Sequence, residues 1–224
     1  VPEELRAQFE AVQQNTRGFD VQKRFYYQSG AHPRNHIDFE CAFAAQQLLR
    51  ERPGEVLDIG SYRQFIIGLL GRGPLTTLDV RERMPECATE TVLTADARSL
   101  PIPDASLDAI VSLCAIEHFG LGRYGDPFDL EGDLKAFREM RRVIRPGGVI
   151  IFTTTITQGR PTIWFNAHRI YSRAMLNEFL DGMTKVEEVF FNPASGKTIG
   201  ESEITYGPEW DIYAGCWRNG SATR

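Results

Sequence analysis

At 224 residues, 42% hydrophobic and 25% charged, the chain suits one soluble α/β domain with a full core. A net charge of −5 gives no electrostatic case for a nucleic-acid surface, and no apolar run reaches the length of a membrane span. Four scattered cysteines (Cys41, Cys87, Cys114, Cys216) have no C-x-x-C spacing, so neither a disulfide framework nor a zinc site is expected and a reducing, cytoplasmic setting is.

Residues 2–17 carry a helical pattern, with Leu5, Phe9 and Val12 on one face. An aromatic, basic stretch from Phe19 to Tyr27 follows. A second helix is expected over about 38–50, where Phe39, Phe43, Ala44 and Leu48 share a face. Residues 1–52 are read as a helical cap that covers either a cofactor site or a sheet edge. From this cap Tyr26, Tyr27 and His36 could reach a ligand. The core is expected to span 53–218 and the tail 219–224 to be disordered, all within a single domain.

The chain is organised around Val56-Leu57-Asp58-Ile59-Gly60, a short apolar run that ends in glycine. Such a run reads as a buried parallel strand emptying into a tight turn, and a helical pattern follows it (Phe65, Ile66, Leu69, Leu70). About twenty residues on, Leu75–Asp79 gives a second strand with an acid at its carboxyl end. This is the layout of a nucleoside site, in which the acid takes the ribose hydroxyls. A dinucleotide fold needs three glycines so that a pyrophosphate can approach the backbone. Here only Gly60 is present, followed by Ser61-Tyr62-Arg63-Gln64. A ligand without phosphates needs no more.

Strands are further expected at Thr91–Thr94, Ala109–Leu113, Val149–Thr153, Val186–Phe191 and Trp210–Trp217. Helices are expected near 133–143 and Ser172–Leu180, with Arg145-Pro146-Gly147-Gly148 as a turn and Asn192–Gly207 as a polar loop. Val-Leu-Asp-Ile-Gly resembles the first motif of class I S-adenosylmethionine-dependent methyltransferases, although the usual Cys-Gly-x-Gly continuation is replaced. Leu100-Pro101-Ile102-Pro103-Asp104 to Asp108 and Arg145–Gly148 resemble two further passages of that superfamily. The resemblance implies a Rossmann-like sheet of seven mostly parallel strands, ordered 3-2-1-4-5-7-6, with helices on both faces. It implies S-adenosyl-L-methionine as cofactor, bound by Asp58, Gly60, Ser61, Asp79, Val80, Asp96, Ala97 and Leu113. Gly60 and Ser61 would lie at the methionine end, Asp79 at the ribose and Asp96 with Ala97 at the adenine.

Two stretches are richer in polar groups than a scaffold needs: Glu117-His118-Phe119-Gly120-Leu121-Gly122-Arg123-Tyr124-Gly125-Asp126 and Phe165-Asn166-Ala167-His168-Arg169-Ile170-Tyr171. Both follow the carboxyl ends of adjacent strands, where open α/β sheets bind ligands, and they are expected to form opposite walls of one acceptor pocket. They resemble a methyltransferase-like family of undefined function whose members are associated with surface-glycan systems. That resemblance implies O-methylation of a small polar or carbohydrate acceptor. His118 and His168 are the candidate bases, since a hydroxyl acceptor must lose its proton as it attacks. Arg123, Tyr124, Asp126, Asn166 and Arg169 are candidate acceptor-binding residues. Each arginine either reads an anionic acceptor or pairs with Asp126 or Asp133 and braces its loop. A divalent cation on Glu117, His118, Asp126, Asp129 and Asp133 is a weaker alternative, because their spacing fits no fixed motif. Two other functions stay open. One is a catalytically silent cofactor-binding module, kept alive by the altered turn; the other is a nicotinamide-dependent oxidoreductase, disfavoured by the missing glycines.

Overall fold

The computed structural model describes residues 3–25, 30, 34–207 and 209–220. The chain divides into two compact units, residues 1–33 and 34–224. In the first, α1 (Glu3–Gln14) has no buried residue, and the Phe9 ring meets Phe25 at 5.7 Å between centroids. Tyr26 and Tyr27 lie outside the described residues. No described helix is long and apolar enough to cross a membrane.

The second unit is built on an eight-stranded sheet. Its strands are β1 (Val56–Ile59), β2 (Leu75–Asp79), β3 (Glu90–Thr94), β4 (Leu107–Leu113), β5 (Ile144–Ile156), β8 (Thr184–Asn192), β9 (Lys197–Ile199) and β10 (Asp211–Arg218). They are ordered β3-β2-β1-β4-β5-β10-β8-β9, and β6 (Thr162–Trp164) pairs separately with β7 (His168–Ile170). The first five strands are parallel, and β10, β8 and β9 are antiparallel. The expected order of seven strands is thus present and extended by β9 at one edge.

Three expectations need correction. The polar loop after Phe191 contains β9, a three-residue strand too short and polar to register as a hydrophobic pattern. Arg145–Gly148 is not a turn before β5. Leu107 pairs with Ile144 and Ala109 with Val149, so the four residues bulge out inside a longer strand. Asn219 is not part of a free tail: its N–H donates to the Gly148 carbonyl at 2.8 Å and its carbonyl accepts from Gly147 at 3.0 Å. Residues 221–224 lie outside the described set.

Period-two alternation sends each central strand's side chains to two cores. Ala109, Val111, Val149 and Ile151 meet α2 (His36–Glu51) through Phe39, Phe43, Ala44 and Leu48. Phe39 stacks on Phe191 at 4.6 Å. Asn35 and Asp38 start α2 with a reciprocal capping box, so its N-terminus is fixed locally. On the other face Leu57, Ile110, Ile150 and Phe152 meet α4 (Gly132–Val143) and α5 (Arg173–Leu180) through Phe137, Met140 and Phe179. The sheet order reverses between β1 and β4, so the chain leaves those two strands in opposite directions. A crevice opens at their carboxyl ends.

Candidate active site

The crevice is lined where β1, β2, β3 and β4 end. Gly60 turns the chain at φ +70°, and a Cβ there would lie 3.2 Å from that of Ala115, so the turn needs glycine on both counts. Ser61 ties this turn to β4, its Oγ accepting the N–H of Leu113 at 3.0 Å. α3 (Arg63–Leu69) then leads away.

A cleft is lined by Gly60, Asp79, Val80, Asp96 and Ala97 from the strand ends, and by His118, Tyr124 and Asp126 from the loop after β4. Asp58 and Ser61 line an adjoining cleft that shares Gly60 and Asp79. Leu113 is buried and reaches the turn through its backbone. Burial pushes the Asp58 carboxyl up to about 7, partly offset by hydrogen bonds from Ser61. Its Oδ1 is buried without a partner. A buried acceptor in that state is unfavourable unless a ligand or an ordered water satisfies it.

The two other acids are engaged. Asp79 accepts from Arg81 Nε at 3.0 Å and Nη2 at 2.8 Å. Burial alone would raise its pKa, but the Arg81 hydrogen bonds outweigh this and hold it below the usual range. Asp96 accepts from Arg98 Nε at 2.9 Å and Nη2 at 2.5 Å, and these bonds hold it low as well.

The two polar stretches meet. His118 ends a 3₁₀ turn (Ile116–His118), and its Nδ1 lies 2.6 Å from the carbonyl oxygen of Ala167. A carbonyl only accepts, so Nδ1 carries the proton and Nε2 bears the free lone pair. Burial lowers the pKa of His118 to about 4. The bond to Ala167 opposes this, and the charges of Arg123, His168 and Arg169 add to it. The ring is therefore neutral near pH 7. His168 opens β7 with its ring 6.2 Å from that of His118 and 4.9 Å from Trp164. Its Nε2 is buried without a partner, and burial lowers its pKa too. Trp210 packs against both His168 and His36, each at 6.0 Å.

The remaining candidates separate by environment. Arg123 is exposed and donates to the Ala167 carbonyl at 2.9 Å. Asn166 is exposed in the β6–β7 turn. The Asp126 carboxylate accepts the Gly120 N–H at 2.7 Å and so shapes its own loop. Arg169 is not brought to the cleft. It is 4% exposed, donates to the carbonyls of Phe119 at 2.7 Å and Leu130 at 3.0 Å, and pairs with Asp133 at 3.3 Å. Of the two roles open to an arginine here, Arg169 has the bracing one. The five candidate cation ligands do not converge: Asp129 is held by Lys135, Asp133 by Arg169, and Glu117 by Thr154. Among the described residues no group of three such side chains is placed to hold a metal ion.

One polar cluster escaped the sequence reading. Glu40 of α2 is fully buried and accepts from Thr153 Oγ1, with the Tyr62 hydroxyl 3.4 Å from its other oxygen. Glu117 accepts from Thr154 Oγ1 at 3.0 Å. Burial raises both carboxyls to about 7. The available signal was an acid at position 40 inside the apolar face Phe39–Phe43–Ala44.

The chain is 28% identical over 155 residues to a malonyl-[acyl-carrier protein] O-methyltransferase of Pseudescherichia vulneris, covering 64% of this chain and 55% of that one. It is 29% identical over 177 residues to the protein of the same name from a Marinomonas species, covering 71% and 60%. The chain thus spans a little over half the length of these curated relatives. Among solved structures it is similar to Burkholderia thailandensis 1,6-didemethyltoxoflavin-N1-methyltransferase with bound 1,6-didemethyltoxoflavin and S-adenosylhomocysteine. That match has a TM-score of 0.62 at 15% identity, over 97% of this chain and 88% of the other. The fold is that of class I S-adenosylmethionine-dependent methyltransferases. Residues 76–199 match the family described as "Caenorhabditis protein of unknown function, DUF268", and the chain belongs to that family.

Proposed function

We propose that the protein is an S-adenosylmethionine-dependent methyltransferase that methylates oxygen on a small polar or carbohydrate acceptor. The observation that carries this reading is the cleft at the carboxyl ends of β1 to β4, with three acids on one wall system and a neutral histidine opposite.

The residues present fit the cofactor. The orphaned Oδ1 of Asp58 suits the ammonium of the methionine moiety. Gly60 lines the cleft without a side chain, so a ligand can approach its backbone. Asp79 offers acceptors to ribose hydroxyls, and Asp96 with the Ala97 backbone suits the adenine edge. When bound, S-adenosylmethionine supplies a methyl group already activated by its sulfonium. The chain's own work is then orientation and removal of one proton. His118 Nε2 takes the proton of the attacking hydroxyl, while the Nδ1–H bond to Ala167 holds the ring's tautomer and angle. Arg123, Tyr124, Asp126 and Asn166 supply hydrogen-bonding groups at the mouth. Trp164 and Phe165, 40% and 76% exposed, offer flat apolar faces beside them. Polar groups next to aromatic faces suit an acceptor such as a sugar or nucleotide sugar.

The test is methyl transfer from labelled cofactor to nucleotide sugars, sugar acids and lipid-linked glycans, with malonyl-acyl-carrier protein as an added arm because two relatives bear that name. Product with a sugar acceptor supports the reading. Product only with the carrier-protein substrate keeps the methyltransferase and overturns the acceptor. Cofactor binding without turnover on any acceptor favours a silent binding module, and affinity for NAD in place of the cofactor overturns the whole reading.

A further inference from the structure

Two of the acids that line the cleft are each held by an arginine two residues further along, in the repeated pattern Asp-x-Arg. Asp79-Val80-Arg81 begins on the last residue of β2 and Asp96-Ala97-Arg98 follows β3. The two pairs differ in how firmly the arginine is fixed. The Arg98 side chain is 13% exposed and is tied a second time, to Asp129 at 3.3 Å, so it is part of the scaffold. The Arg81 side chain is 59% exposed and lines the cleft itself. Beyond Asp79 its guanidinium is held by the face of Tyr124, at 4.5 Å from the ring centroid. Tyr124 belongs to the opposite wall, with its ring 5.7 Å from that of His118.

Arg81 thus spans the cleft from the β2 acid to the loop that carries His118. Its Nε and Nη2 take one oxygen each of Asp79, and its backbone N–H takes Oδ1 as well, at 2.8 Å. Two vicinal hydroxyls of a ribose would require those same two oxygens as acceptors. We propose that Arg81 is a displaceable latch: it occupies the acceptor atoms of Asp79 in the ligand-free protein and competes with the ribose for them. This rests on the nucleoside reading of the cleft given above and goes beyond it. Entry of the ligand swings the guanidinium off Asp79, while the Tyr124 face, which it already meets, keeps hold of it on the far side. An exposed ion pair is weak enough to be broken by a ligand and strong enough to discount its affinity.

The experiment is titration calorimetry with S-adenosylhomocysteine, which carries no net charge, on wild type, Arg81→Gln and Asp79→Asn at low and high salt. The expected result is that Arg81→Gln binds about two- to fivefold more tightly than wild type. Salt should close that gap by strengthening wild-type binding, because screening weakens an exposed pair. Asp79→Asn should bind more weakly than either. Equal or weaker binding by Arg81→Gln, with wild type binding and Asp79→Asn impaired, overturns the latch and leaves the nucleoside reading standing. No binding by wild type or by Arg81→Gln overturns both. Arg81 is exposed, so folding of the variant is not at issue, and a melting curve in the same buffer confirms it.

Discussion

The imidazole of His118 is held in one tautomer and one charge state by a neighbouring carbonyl and by burial. The Ala167 carbonyl fixes its proton on Nδ1, and burial keeps the ring neutral down to about pH 4. If His118 is the base, His118→Ala lowers turnover by roughly 10²–10⁴-fold with cofactor affinity near wild type, as single-turnover and binding measurements will separate. The pH profile follows from the sign of the shift. For a base the neutral ring is the active form, so a His118-dependent rate should be constant above pH 5 and fall as pH drops through about 4. Glu40 behaves in the opposite sense for stability. Its folded pKa of about 7 lies above the ordinary 4.5, so the folded state binds the extra proton between those values. Its contribution is fully present below pH 4.5 and is lost as pH rises through 7. Glu40→Gln keeps an acceptor for Thr153 and removes the charge. It should raise stability at pH 8 by on the order of 1–3 kcal/mol and leave it nearly unchanged at pH 4, by denaturant melts at the two pH values.

At the level of elements, legibility tracked the strength of the local pattern. β1 and β2 have the bounds read from sequence, because each is a short apolar run closed by a glycine turn or an acid. β6, β7 and β9 left no such trace. Each has three residues, β6 is exposed throughout, and hairpin pairing rather than burial defines them. The positions of Asp58, Asp79 and Asp96 followed from sequence because they sit at or just beyond strand ends, where chain order fixes position. That of Glu40 did not, since only the packing of α2 on β5 brings it under the site. The role of Arg169 depended likewise on contacts across some forty residues. The loop from Gly120 to Gly132 illustrates what spacing alone hides. A Cβ on Gly132 would lie 2.8 Å from both the Cα of Gly120 and the carbonyl oxygen of Phe119. The start of α4 and the strand-four loop therefore touch backbone to backbone. Gly132→Ala should cost about 1–3 kcal/mol through this overpacking, lower Tm by several degrees, and reduce turnover by displacing His118.

Across the whole sheet unit, Arg169 joins what three separate segments contribute. From β7 it reaches the 3₁₀ turn through the Phe119 carbonyl, the end of the loop through Leu130, and the first turn of α4 through Asp133. Tyr171 adds its hydroxyl to the same Asp133 oxygen at 2.8 Å. Burial still raises the Asp133 carboxyl despite the Arg169 charge beside it, so the pair is held by its surroundings. Removing one member leaves the other charged and buried. Arg169→Met should therefore lose about 3–5 kcal/mol of stability. Adding Asp133→Asn to that variant should recover part of the loss, because a neutral amide still accepts from Tyr171 and no unpaired charge remains. Arg123 contrasts with it on the same wall. It is exposed, and Arg123→Ala should change stability by less than about 0.5 kcal/mol. An arginine that reads an anionic acceptor should raise KM for that acceptor when removed, with kcat and cofactor affinity retained. Melting curves and acceptor kinetics on the two variants thus separate a brace from a contact. A stable Arg169→Met protein with a raised KM would reverse the two assignments.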